Sequence, residues 1–259
     1  MTPALTAEQR QAYKTDGFIK ITGFASQDVC DAMLQSVIEI SERKASDGWD
    51  AGAGLLLPEA NLRGNEGKPA ELVSKIFKLH REPVFNEFAV SDAVTAIAAE
   101  LIDRRDIDCF LSQFIFKNPG AWGQPWHQDS FYFPFDPHGP VVGVWLAVTA
   151  ATIENGCLHV LPGSNHQPIH EHVEDRRPGA NLGYVEIVDH DMSDAIPVLM
   201  DPGDLLVFDS HLMHRSTDNE SAGLRAAMVY HYAQAGTVDR SNNLVNDWMP
   251  ARRSESVSA

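Results

Sequence analysis

The stretch VVGVWLAVTAATIENGCLHVLPG, residues 141–163, contains two apolar runs separated by a turn. The runs at 141–149 and 157–161 are rich in Val and Leu, a composition that favours β-strands. Asn155-Gly156, between them, is a strong hairpin signal, and Pro162-Gly163 marks a further turn. This part of the chain therefore predicts two strands joined by a tight turn.

Similar runs lie on both sides of this stretch. Segments rich in Val, Phe, Leu and Tyr occur at 109–117, 204–208 and 225–232, and Pro202-Gly203 marks a turn before the second of them. Helices first and a run of strands afterwards predict an α+β, mainly β fold with a β-sandwich or barrel core.

The first 108 residues are predicted to form a mainly helical flank. Thr6 and Gln9 fit a capping box at the start of one helix, and Ser26 can cap a second helix that reaches about Arg43. Five glycines interrupt any periodicity between residues 45 and 69, so we expect a long loop there, a candidate lid. The other elements expected in this flank are a strand at 18–22 and helices at about 70–80 and 91–104.

Composition excludes several classes of protein. The chain has 259 residues and a formal net charge of −16, which argues against binding nucleic acid or an anionic membrane surface. Its hydrophobic content of 44% is that of an ordinary globular protein. We expect a cytoplasmic protein, because three scattered cysteines do not suggest a disulfide framework and the sequence shows no signal peptide, transmembrane run or peroxisomal SKL ending.

The segment Pro125-Trp126-His127-Gln128-Asp129 is the most informative for chemistry. In an extended strand, residues two apart point to the same face, so His127 and Asp129 would lie side by side. One further histidine would complete the 2-His-1-carboxylate triad that holds non-haem Fe(II) and leaves coordination positions open. An isolated H-x-D is a weak signal, and His211 and His214 compete for the third position.

Arg225 opens the last long strand and shares a face with Ala227, Val229 and His231. A guanidinium on an otherwise apolar inward face requires an anionic partner. A bound dicarboxylate would provide one, because the planar fork binds a carboxylate in bidentate fashion. An internal Arg–Asp pair is the alternative.

These residues carry a resemblance to the phytanoyl-CoA dioxygenase family of Fe(II)/2-oxoglutarate oxygenases, and most of all to its domain-containing proteins. The resemblance extends from about Gln9 to Tyr232. The matching segments, in order, are DGFIKITGF, FKNPG…WHQD, GVWLAVTAATIENGCLHVLPGS and PGDLLVFDSHLMHRSTDN…LRAA. The resemblance implies a double-stranded β-helix, a cupin-like jelly roll, with flanking N-terminal helices.

The resemblance also implies roles for particular residues. The iron ligands fall on His127, Asp129 and His214, with His214 favoured over His211 by the apolar-His-x-Ser context of Leu212-Met213-His214-Arg215-Ser216. The implied 2-oxoglutarate contacts are Arg225, Ser216, Trp145, Gln113 and Lys75. Fe(II), 2-oxoglutarate and O₂ are the implied cofactor and cosubstrates.

The resemblance thus predicts a dioxygenase that hydroxylates an unactivated C–H of a small organic or acyl substrate and releases succinate and CO₂. Because Asp129 is a carboxylate, no ligand position is vacant for a halide, which argues against the related halogenases. Two other classes stay open: a catalytically degenerate jelly-roll binding protein, and a metal-dependent hydrolase or isomerase that uses the same triad with Zn²⁺.

We expect a single oxygenase domain over residues 1–259, with a jelly-roll core at 109–235 and a C-terminal tail at 236–259. The loops at 45–69 and 165–195 are expected to decide the small-molecule substrate. A CoA ester would need cations for its phosphates, and the candidates in these loops are Arg63, Lys68, Arg176 and Arg177. Trp122, Trp126 and Tyr132 are candidates for the pocket wall, with packing in the core as the alternative.

Overall fold

A large antiparallel sheet with helices against one face forms the body of the molecule. The computed structural model describes residues 4–47, 55–62, 64–178, 180, 183–241 and 243–254. The helices are α1 (Ala7–Asp16), α2 (Gln27–Asp47), α3 (Pro83–Ala89) and α4 (Asp92–Ile102). The strands are β1 (Phe18–Ile21), β2 (Leu55–Pro58), β3 (Val73–Phe77), β4 (Ile107–Lys117), β5 (Phe135–Asp136), β6 (Val142–Ala147), β7 (Leu158–Val160), β8 (Val173–Glu174), β9 (Val185–Glu186), β10 (Ile196–Val198), β11 (Leu205–Asp209), β12 (His214–Ser216), β13 (Arg225–Gln234), β14 (Val238–Asp239) and β15 (Met249–Arg252).

Two antiparallel sheets form the core of the molecule. The major sheet has eight strands in the order β1-β11-β6-β13-β4-β3-β2, with β15 also paired to β4, and the minor sheet has the order β10-β7-β12. Every pair in both sheets is antiparallel. Two sheets of this kind packed around a shared interior form a jelly roll, as expected.

Alternation along the central strands separates the two faces of the major sheet. Val144 of β6 and Tyr230 of β13 belong to the core cluster that includes Met33 of α2 and Ile97 of α4. The neighbouring residues point the other way. Trp145, Ala147, Ala227 and Val229 pack with Leu158, Val160 and Val198 of the minor sheet and with Met200 beyond it. Side chains at odd numbers on β6 and β13 therefore face the interior between the sheets.

The N-terminal flank is less helical than predicted. The capping box of Thr6 and Gln9 is present, and α2 begins immediately after Ser26. The helix predicted at 70–80 is wrong, because Val73–Phe77 forms strand β3 between β2 and β4. Apolar residues at 73, 76 and 77 have helical spacing, but the whole strand is buried, so it shows no polar alternation.

Two further segments are more ordered than predicted. The expected loop at 45–69 contains the end of α2, strand β2 and the short 3-10 helix Ala60–Leu62, while 48–54 and 63 lie outside the described residues. The expected tail at 236–259 contains β14, and its β15 pairs with β4 as an edge of the major sheet. Strands β2 and β15 are positioned by pairing with β3 and β4. Neither segment has a strong local strand signal of its own.

Candidate active site

His127 and His214 lie directly opposite each other in an isolated antiparallel bridge. The backbone N–H of each donates to the carbonyl of the other at 3.0 Å. Asp129 was predicted to continue an extended strand with His127. It instead opens the 3-10 helix Asp129–Tyr132. Gln128 between them is extended (φ −115°, ψ 127°), so the two-residue spacing still places both side chains on one side.

The three side chains converge. One ligand atom from each of His127, Asp129 and His214 lies within 4.8 Å of the others. Asp129 Oδ1 is 3.3 Å from His127 Nε2 and 3.8 Å from His214 Nε2. Adjacent ligands at about 2.1 Å from a metal lie about 3 Å apart, so small side-chain adjustments suffice for a metal to be held. Among the described residues, these three side chains form the one cluster of His, Cys, Asp or Glu that could hold a metal ion.

Backbone carbonyls select the tautomer of both imidazoles. His127 Nδ1 is 2.8 Å from Pro125 O, and His214 Nδ1 is 2.9 Å from Leu212 O. Because a carbonyl only accepts, each Nδ1 carries the hydrogen and each Nε2 offers a lone pair to the centre. Both rings could therefore offer Nε2 to a metal ion.

The protonation states also suit a metal. Burial, with His127 nearby, lowers the pKa of His214 to about 4, so this imidazole is neutral at physiological pH. Burial acts to raise the pKa of Asp129, but His214, His127 and His231 together hold it well below its ordinary value. Neutral imidazoles and an ionised carboxylate are the forms that bind metal.

His211, the other candidate for the third position, lies outside the cluster. Its Nδ1 is 3.4 Å from Asp209 Oδ1 and 3.1 Å from Ser130 Oγ, and it is partly exposed. His214 begins β12 opposite His127, whereas His211 lies in the preceding turn. The geometry therefore agrees with His214.

Arg225 is buried and has no acidic partner among the described residues. It is 1% exposed, and its Nη2 donates to Gly156 O at 2.9 Å. Its Nε and Nη1 have no hydrogen-bond partner among the described residues. Burial lowers its pKa to about 10, which leaves it cationic at neutral pH. The internal Arg–Asp alternative is wrong, and the free donors suit a bound carboxylate.

Ser216 has a hydroxyl hydrogen to offer in the same region. Its Oγ accepts from Lys117 Nζ at 2.9 Å and from the Gln124 backbone N–H at 3.0 Å. With both lone pairs engaged, the hydroxyl can only donate its remaining hydrogen. Ser216, Lys117 and Arg225 all line one cavity, so they can present donors to an anion there.

The remaining predicted residues also line this cavity, which has a volume of about 250 Å³. Trp145 is 2% exposed and lies on β6, with the Arg225 guanidinium 5.7 Å from its ring centre. Gln113 is on β4 and Lys75 on β3, and Lys75 Nζ donates to Gln124 Oε1 at 3.0 Å. Trp122 and Tyr132 are in the wall as well.

Three residues of the site were not predicted. Lys117 and Gln124 both donate to Ser216 Oγ. The side-chain amide of Gln124 also lies 2.9 Å from His127 Nε2. His231 Nε2 lies 2.8 Å from Asp129 Oδ2. The signals for two of them were partial: Lys117 belongs to the FKNPG segment, and His231 shares the inward face of β13 with Arg225. Gln124 had no signal of its own.

Of the basic loop residues that the structure describes, Lys68, Arg176 and Arg177, none lines this cavity. Arg177 is paired with Asp175 at 2.5 Å and lies over the Trp122 ring. Arg176 lines a separate outer groove with Asp175, Glu186 and Asp218. Lys68 donates its backbone N–H to Glu71, and Arg63 lies outside the described residues.

A jelly roll with a His-x-Asp…His cluster, together with an unpaired arginine in the same cavity, defines the class of non-haem iron, 2-oxoglutarate-dependent dioxygenases. The family model of phytanoyl-CoA dioxygenase (PhyH) matches residues 13–227. The chain belongs to the phytanoyl-CoA dioxygenase family.

Individual relatives agree with this assignment. A probable phytanoyl-CoA dioxygenase of Caenorhabditis elegans is 30% identical over 238 residues, covering 88% of this chain and 75% of the relative. Phytanoyl-CoA dioxygenase domain-containing protein 1 of Bos taurus is 28% identical, covering 92% of this chain and 94% of the relative.

Solved structures share the fold. EvdO2 from Micromonospora carbonacea var. aurantiaca, complexed with 2-oxoglutarate, has a TM-score of 0.68 at 21% identity, covering 92% of this chain and 94% of that chain. The epimerase SnoN, in complex with Fe³⁺, alpha-ketoglutarate and nogalamycin RO, has a TM-score of 0.69 at 16% identity, covering 90% of this chain and 85% of that chain.

None of the helices in the described part of this chain has the length and apolar character needed to span a membrane.

Proposed function

We propose that His127, Asp129 and His214 hold Fe(II), and that Arg225 and Ser216 bind the distal carboxylate of 2-oxoglutarate. The enzyme then hydroxylates an unactivated C–H of a small organic or acyl substrate, with release of succinate and CO₂. The unpartnered Arg225 guanidinium, buried in the cavity that also contains the triad, is the observation that carries the proposal. A binding protein without catalysis has no need for both features in one cavity.

The iron, when bound, supplies the activation of O₂ that consumes the 2-oxo acid. The residues of this chain position the reactants. The free N–H groups of Arg225 and the hydroxyl of Ser216 hold the distal carboxylate, so the 2-oxo acid group points toward the triad. Trp145 and Gln113 close the cavity beside it. Burial of Arg225 strengthens its attraction for an anion, because little water screens the charge.

One part of the cavity lining suggests the character of the substrate. It is largely apolar, and its members are Leu57, Phe77, Leu111, Phe133 and Val245. The curated relatives are named for an acyl-CoA, but a CoA ester needs cations for its phosphates. Of the candidates in this chain, Arg177 is paired with Asp175 and Arg176 lines a separate groove. We therefore favour a compact substrate with an apolar body.

The test is oxygen uptake coupled to succinate formation by protein that is purified anaerobically and loaded with Fe(II). We expect equimolar consumption of O₂ and 2-oxoglutarate, which His214→Ala abolishes. His211→Ala is the matched control, since it removes a neighbouring histidine outside the triad, and it should retain turnover. Turnover that survives in His214→Ala or Asp129→Ala would overturn the proposal. A site that retains Zn²⁺ and ignores 2-oxoglutarate would favour the hydrolase or isomerase alternative.

A further inference from the structure

His231 contacts the carboxylate of the triad from the side away from the two histidines. It lies on β13 and is 1% exposed, and its Nε2 is 2.8 Å from Asp129 Oδ2. The other oxygen, Oδ1, is the one that lies near His127 and His214. The two oxygens of Asp129 therefore have different environments: one faces the triad and the other faces His231.

Aromatic rings fix the orientation of His231. The ring centres of Phe133, Phe110 and Phe208 lie 5.4, 6.0 and 6.0 Å from its own. Its Nδ1 is buried and has no hydrogen-bond partner among the described residues. Since the carboxylate is the only polar group that the ring contacts in this set, Nε2 carries the hydrogen and donates it to Asp129.

The identity of the engaged oxygen has a consequence for coordination. A carboxylate can bind a metal through one oxygen or through both. In the proposed site, one-oxygen binding leaves three positions of an octahedral metal open, two for the 2-oxo acid and one for O₂. Two-oxygen binding would occupy a fourth position and leave none for O₂ once the 2-oxo acid is bound.

We propose that His231 is a positioning residue that keeps Asp129 bound through Oδ1 alone and so preserves the open position for O₂. This inference rests on the proposed function. Because Oδ2 already accepts a short hydrogen bond, turning it toward the metal would break that bond and leave the Nε2–H buried among phenylalanines without a partner.

The test compares Mn²⁺ affinity and the visible spectrum of bound Co²⁺, which reports coordination number, in wild type and variants. His231→Leu removes the donor, and His231→Gln supplies an amide N–H in its place. Tyr230→Phe is the control, because it removes an equally buried hydrogen bond, to Phe85 O, on the opposite face of the same strand.

We expect His231→Leu to shift the Co²⁺ spectrum toward a higher coordination number, because Asp129 can then bind through both oxygens, and to change the Mn²⁺ affinity about 10-fold or more, as loss of outer contacts to metal ligands commonly does. His231→Gln should restore both toward wild type, and Tyr230→Phe should change neither. If His231→Leu does not fold, the Co²⁺ spectrum of His231→Asn, whose shorter amide is not expected to reach Asp129, must differ from that of His231→Gln.

Two results distinguish a failure of the role of His231 from a failure of the proposed function. A folded His231→Leu protein with an unchanged Co²⁺ spectrum would overturn the role of His231 and leave the proposed function intact. Identical Co²⁺ spectra of the His231→Asn and His231→Gln variants would do the same. A wild-type protein that binds neither metal at the triad would overturn the proposed function itself, and the role of His231 with it.

Discussion

Arg225 and Lys117 occupy directly opposed positions on the neighbouring strands β13 and β4, so two cationic side chains lie together inside the protein. They are 1% and 3% exposed, and no salt bridge among the described residues includes either of them. Burial, and Arg225 beside it, hold the pKa of Lys117 well below its ordinary value. Asp218 and Glu59 act on the pKa of Lys117 in the opposite direction. The buried Arg225 charge, which has no acidic partner among the described residues, is therefore the physical reason to expect an anion in this cavity.

Arg225→Met should raise the KM for 2-oxoglutarate at least about 10²-fold, since hydrogen bonds to charged groups contribute about 1.5–3 kcal/mol each. The same variant should lose the preference for 2-oxoglutarate over a 2-oxo monoacid of equal length, which has no distal carboxylate. Steady-state kinetics with both cosubstrates is the measurement. An unchanged preference would show that Arg225 does not contact the distal carboxylate.

The same substitution should stabilise the protein in the absence of metal and cosubstrate. Replacing an uncompensated buried charge with an apolar side chain of similar size is expected to raise the free energy of unfolding by about 1–3 kcal/mol. Urea denaturation measures it. Arg177→Met, which removes an arginine already paired with Asp175, is the control and should not stabilise. A destabilised Arg225→Met protein would mean that an internal anion already compensates Arg225.

Lys117→Met should raise the KM for 2-oxoglutarate about 10-fold with a smaller effect on kcat. Lys117 donates to Ser216 Oγ and to Thr217 O, so its loss frees the Ser216 hydroxyl to rotate away from the bound anion. The effect should be absent in a Ser216→Ala background, because both substitutions act through one hydroxyl. Fully additive effects in the double variant would contradict this.

The elements that were predicted correctly have local signals. The strands around Trp145 and Phe208 are continuous apolar runs bounded by turn residues, and the H-x-D spacing places His127 and Asp129 together. The missed features depend on which strands pair. His231 meets Asp129 across 102 residues of chain, and Lys117 becomes the neighbour of Arg225 only when β4 pairs with β13.

Lowering the pH should reduce the free energy of unfolding, in part because of His80. Burial lowers the pKa of His80 below its ordinary value of 6.5, and the ring is held neutral: Nε2 donates to Asp247 O at 2.8 Å and Nδ1 accepts from Ser112 Oγ at 2.6 Å. Below pH 6.5 the unfolded chain therefore binds a proton that the folded protein does not, so the free energy of unfolding falls as pH decreases.

His80→Gln should lower stability at pH 7.5 and reduce the further loss between pH 7.5 and 5.5 by about 1 kcal/mol. Urea denaturation at the two pH values measures this, with His138→Gln, at an exposed histidine, as the control. If the loss on acidification is the same in His80→Gln and wild type, His80 does not contribute to it.

The most direct measurement of the central claim is an anaerobic crystal structure of the wild-type protein with Mn²⁺ and 2-oxoglutarate. We predict the metal on His127 Nε2, His214 Nε2 and the single oxygen Oδ1 of Asp129, with the distal carboxylate on Arg225 and Ser216. Metal bound elsewhere, or a cosubstrate carboxylate that does not contact Arg225, would contradict it.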